Sequence, residues 1–128
     1  MISAKDLTKL AKGRLQDAEV LYRGDRYDGA VYLCGYAVEL ALKARICKTL
    51  KWSEFPDDNS KYRSLRTHDL HVLLHLSGIE AEVAAQFKAE WSIVMEWNAV
   101  LRYRKLGTAT DVEAGEMIGA AKNLLKVL

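Results

Sequence analysis

Proline is almost missing from this chain: Pro56 is the only one in 128 residues, and glycine occurs eight times. A proline ring removes a backbone donor and clashes inside a helix, and an interior glycine costs a helix about 1 kcal/mol. Long helices therefore meet few breakers. Cysteine is scarce too, limited to Cys34 and Cys47. Both fall in one expected helix, separated by about 20 Å at the helical rise. A disulfide needs Cα atoms within about 7 Å, so these two cannot pair within one chain. Free thiols suit a reducing cytoplasm. No apolar run is long enough to span a bilayer, because Gly29 to Leu42 is short and interrupted by Glu39. Met1 to Leu10 carries Lys5 and Asp6 and lacks an apolar signal core. The expectation is a cytoplasmic protein without a membrane partner. Neither sign of charge dominates: the net charge of +2 is too small to indicate nucleic acid on its own. Phosphate-loop, dinucleotide, nucleophile-elbow and paired-cysteine signatures are all missing.

What remains is ordinary globular material. Half the residues are hydrophobic and 28% are charged. The length fits one domain, residues 1–128, able to bury roughly two-thirds of its unfolded surface. Ser3 followed by Asp6 reads as a helix N-cap, after which Leu7, Leu10, Ala11, Leu15, Ala18 and Tyr22 recur at helical spacing. Gly24 takes the position of a C-cap glycine. A second helix is expected over Tyr27–Leu50. It is apolar nearly all round, so other helices must surround it. Glu39 and Lys43 stand four apart in the favourable order for an ion pair. Lys51 to Arg66 reads as a loop, with Pro56, Asp57, Asp58, Asn59 and Ser60 as turn formers. Thr67 is expected to cap a short third helix to Leu76. A fourth spans Glu80 to Arg102, with a break allowed near Lys88. Thr110 and Glu113 form a capping box for the last helix, to about Val127. Short links make neighbours antiparallel. The fold class is all-α, an antiparallel up-and-down bundle of four or five helices.

The histidines are the most unusual feature. His68, His71 and His75 lie at i, i+3 and i+7, one stripe of a regular helix facing away from Leu70, Leu73 and Leu74. His71 and His75 have metal-ligand spacing, but no third ligand accompanies them, so no metal and no cofactor is expected. Arg63 precedes His68, and Arg66 precedes His71, with four residues between in each pair. Histidine moves protons near neutral pH, and arginine holds phosphate through a planar fork. Such a pair can cleave RNA without metal by activating the ribose 2′-hydroxyl.

The run Arg26 to Leu33, continued by Gly35 to Lys43, resembles the second helix of HEPN-domain proteins. Thr67-His68-Asp69-Leu70 resembles the start of their next short helix, and Leu101-Arg102-Tyr103-Arg104 the close of the following long one. The resemblance covers nearly the whole chain. It implies a helical bundle, a homodimer and a place in prokaryotic toxin–antitoxin, antiviral or nucleotide-handling systems, with a minimal nucleotidyltransferase as partner. RNA-cutting relatives carry Arg-x(4–6)-His at the junction into the last helix. The matching stretch here, Leu101 to Val112, has Arg102 and Arg104 but no histidine. The reading this favours is a non-catalytic module that dimerises and binds nucleotide or RNA phosphate. Glu39, Lys43, Arg102, Tyr103 and Arg104 would line one polar cleft. The alternatives are a metal-independent ribonuclease using His68, His71, Arg63 and Arg66, and a ligand-free structural adaptor. Trp91, Met95, Trp97 and Tyr103 supply apolar surface for core or dimer interface.

Overall fold

The computed structural model describes residues 2–57 and 61–128. Asp58, Asn59 and Ser60, read above as turn formers, lie outside the described residues. Helix α1 spans Ala4–Arg23. Ser3 caps it as expected, its Oγ accepting the Asp6 N–H at 3.0 Å. Leu7, Ala11, Leu15 and Ala18 are its buried stripe. The end of α1 differs from expectation by one residue. The left-handed backbone belongs to Asp25, φ 61°, and not to Gly24. The Arg26 N–H reaches back to the Leu21 carbonyl and the Asp25 N–H to Tyr22, a Schellman ending displaced past the glycine.

Helix α2, Tyr27–Leu50, is the enclosed rod that its composition demands. Thirteen of its residues are buried, Glu39 among them. It lies along α1, and α6 packs against both. It also ends in a Schellman motif, with Lys51 left-handed at φ 58° and the Trp52 N–H on the Cys47 carbonyl. Cys34 and Cys47 are both buried and unpaired. Burial pushes the Cys34 thiol up to about 12, which keeps it unreactive.

A two-residue ribbon joins the two ends of this helix pair. Strand β1, Ile2–Ser3, pairs antiparallel with β2, Glu54–Phe55. It ties the start of α1 to the chain leaving α2, which fixes the two helices antiparallel. A 3₁₀ turn, Arg63–Leu65, follows in the expected loop.

The third helix is shorter than expected. Helix α3 spans Leu70–Leu76, and its cap is Asp69, which accepts the N–H groups of His71 and Val72 at 3.0 and 3.3 Å. The Thr67 hydroxyl accepts the Asp69 N–H instead. His68 therefore precedes the helix, and the three-histidine stripe does not form.

The expected fourth helix is broken twice. Helices α4, Glu80–Gln86, and α5, Lys88–Val94, are separated at Phe87, and a 3₁₀ turn, Ala99–Tyr103, replaces the remainder. The reason is Trp97. Its indole lies on Gly35, where a Cβ would meet the ring at 2.1 Å, and its Nε1 donates to the Tyr32 carbonyl at 3.1 Å. Seating that ring on α2 pulls the chain out of helical geometry. Helix α6, Asp111–Leu125, is capped by Thr110 as expected, with Met117, Ala120, Ala121 and Leu124 inward. Among the described residues, no helix is long and apolar enough to cross a membrane.

Candidate functional site

The broken fourth helix lays its 3₁₀ turn and the following link across the start of α2. Between them opens a cleft of about 460 Å³, lined by Arg26, Tyr27, Tyr32, Arg102, Arg104 and Leu106 among others. Asp28 holds the link in place. Its carboxylate accepts the Gly107 N–H at 2.6 Å and the Ala109 N–H at 2.8 Å. Those two N–H groups, Ala109 first, hold its pKa below the ordinary carboxyl value, with Arg104 and Arg26 adding to the effect. Arg104 is largely neutralised, 3.4 Å from Glu113 and 3.9 Å from Asp28. Arg26 and Arg102 are exposed, and among the described residues neither forms an ion pair within 4 Å, although Arg26 is near enough to act on Asp28. The Arg102 guanidinium stands 5.0 Å from the Tyr103 ring centroid, and hydrogen bonding to the Tyr103 and Tyr32 phenols raises its pKa further. Arg26, the N-cap residue of α2, makes no side-chain cap bond.

A second arrangement sits further along α2. Glu39 is only 2% exposed. A buried carboxylate must be compensated. One oxygen accepts from Lys43 Nζ at 3.0 Å, and the other lies 2.8 Å from His68 Nδ1. An ionised carboxylate only accepts, so Nδ1 carries the hydrogen and Nε2 is the ring nitrogen left over. The imidazole is mostly exposed and borders a cleft of about 460 Å³ shared with His71, Glu96, Trp97, Asn98 and Val100.

The sequence profile of the HEPN domain matches residues 4–128. This chain belongs to the HEPN family. No curated protein and no solved structure matched it. At family level the HEPN domain is a helical module of the nucleotide- and RNA-related kind.

The HEPN fold divides the residues singled out in the sequence. Glu39, Lys43 and His68 come together, and Arg102 and Arg104 line the cleft at the start of α2, whereas Tyr103 is strongly exposed and is not part of that lining. The five residues expected to line one polar cleft do not share it. Glu39 lies eleven residues beyond Asp28, which is about 16 Å along the helix. The Arg-x4-His pairs are also parted. Arg66 donates to the Pro56 carbonyl at 3.1 Å, while His71 stands edge-on to Trp91 at 5.7 Å. Arg63 lies exposed in its 3₁₀ turn. His68 and His71 share a cleft wall that neither arginine lines. His75 pairs with Glu80 at the surface, Nδ1 to Oε2 3.2 Å. Among the described residues, no group of three or more His, Cys, Asp or Glu side chains is placed to hold a metal ion. Sequence reasoning missed Asp25, Arg26, Tyr27 and Tyr32 as cleft residues. The last three lie inside the string that carries the HEPN resemblance, which was the available signal.

Proposed function

We propose that this HEPN domain is a non-catalytic module that binds nucleotide or RNA phosphate in the cleft at the start of α2. It does so as a homodimer and serves a nucleotidyltransferase in a toxin–antitoxin or defence system. The observation that carries this reading is the charge balance of the cleft. Asp28 and Glu113 are spent on backbone N–H groups and on Arg104, and against the one remaining wall carboxylate, Asp25, the cleft sets two exposed guanidinium groups, Arg26 and Arg102, to attract an anion. Arginine matches phosphate through paired N–H donors, and the Tyr27 and Tyr32 rings offer faces for a base. The cleft volume falls within the range of about 300–1,000 Å³ usual for small-molecule sites. Calorimetric titration with ATP, GTP and a short single-stranded RNA tests it. Arg102→Ala is expected to weaken binding by about tenfold or more, the worth of a charge-assisted hydrogen bond. No uptake of any of the three by folded protein would leave the ligand-free adaptor in its place.

One observation favours the ribonuclease reading as a second choice. A buried carboxylate aims an exposed imidazole, an arrangement that holds a general base in one tautomer. RNA cleavage in the presence of chelator, lost in His68→Ala and His71→Ala, supports it. Intact RNA after incubation with clean protein removes it.

A further inference from the structure

Two carboxylates stand on the wall of the cleft at the start of α2, Asp25 and Asp28. Both oxygens of Asp28 are taken by the backbone of the link. Asp25 differs. Its Oδ1 accepts the Tyr27 hydroxyl at 2.9 Å, and among the described residues nothing bonds its Oδ2. The bond to Asp25 pushes the Tyr27 phenol up to about 12, so that hydroxyl remains a donor throughout the physiological range. A carboxylate offers acceptors only, about four lone-pair sites. Beside Arg26 and Arg102 it repels the phosphate that the arginines attract. It is therefore matched only by a part of the ligand that presents hydrogen-bond donors.

Among the common bases, guanine presents two adjacent donors on one edge, N1–H and the 2-amino group. Adenine sets an acceptor beside its amine, which would place lone pair against lone pair. We infer that the cleft selects guanine nucleotides, with Asp25 reading N1–H and the 2-amino group while Arg26 and Arg102 hold the phosphate. This rests on the phosphate-binding reading of the same cleft.

Calorimetric titration of GMP, AMP and IMP into the purified protein tests it. GMP is expected to bind at least about tenfold tighter than AMP, the discrimination typical of a good bidentate base contact. IMP, which lacks the 2-amino group, falls between them. Asp25→Asn keeps a residue that tolerates left-handed backbone and presents a donor beside an acceptor. It is expected to reverse the preference towards AMP, and a melting curve close to wild type shows that it folds. Asp25→Gly, also at ease in that backbone, is expected to bind GMP and AMP alike. Equal affinity for GMP and AMP in the wild type, with both weakened in Arg102→Ala, overturns the guanine assignment and leaves the phosphate cleft standing. An unchanged GMP-to-AMP ratio in Asp25→Asn also overturns it. No affinity for GMP, AMP or IMP in folded protein overturns the guanine assignment, while uptake of ATP, GTP or RNA by the same protein keeps the phosphate cleft.

Discussion

Gly35 has no side chain because Trp97 occupies the place where one would stand. A Cβ there would sit 2.1 Å from the indole, so Gly35→Ala must either expel the ring or push α2 aside. Overpacking of this kind costs about 1–3 kcal/mol, and the lost Trp97–Tyr32 hydrogen bond adds about 1 more. A lower urea midpoint together with a red-shifted tryptophan emission is the expected result. Glu39→Ala should destabilise the fold by about 3 kcal/mol, since it strands Lys43 without its counter-charge in a largely buried position. Asp28 gives a pH signature. Its folded pKa is depressed, so its stabilisation is fully present above the unfolded carboxyl value and is lost as pH falls through the lower folded value. Urea midpoints measured between pH 6 and pH 3 should fall less steeply in Asp28→Asn than in wild type, from a lower start. Nothing local in the sequence marks Gly35 or Asp28 for these roles. Each is defined by a partner brought from the far end of the chain.

The starts of the first and last helices were the most legible elements. Ser3 and Thr110 cap the helices they precede, because a cap needs only a side-chain oxygen and an N–H three residues on. Thr110→Ala is expected to lower stability by about 1 kcal/mol, read as a drop in melting temperature. The start of α3 was misread because Thr67 and Asp69 are both competent caps. The His68–Glu39 bond, which ties the preceding residues to α2, accompanies the later start. The C-terminal endings of α1 and α2 depart from local preference in another way. Asp25 and Lys51 take left-handed backbone without being glycine. Lys51→Gly should relieve strain worth about 1 kcal/mol and raise the melting temperature by several degrees. A fall would show that the lysine side chain contributes more than its backbone costs.

At the scale of the whole molecule, three strongly exposed apolar side chains lie close together in sequence, on the 3₁₀ turn that replaces the end of the fourth helix and on the link after it. Val100, Tyr103 and Leu106 are 69%, 76% and 81% exposed, whereas Trp97 is buried in its own core. A homodimer using this segment should give twice the chain mass in light scattering at micromolar concentration, and Val100→Asp should shift it towards monomer. A wild-type monomer mass would remove the dimer from the proposal. The all-α class, the enclosed second helix and two of the caps were determined by the sequence alone. Helical periodicity and capping are exchanges between residues a few positions apart, so neighbouring residues suffice to encode them. Only the tertiary structure decided that Glu39 meets His68, that Trp97 lies on Gly35 and breaks a helix, and that Asp28 fastens the link after Tyr103. Those pairings depend on how helices cross and where the chain must run to bury an indole or compensate a charge. That balance belongs to the packed molecule as a whole, and no short window of residues contains it.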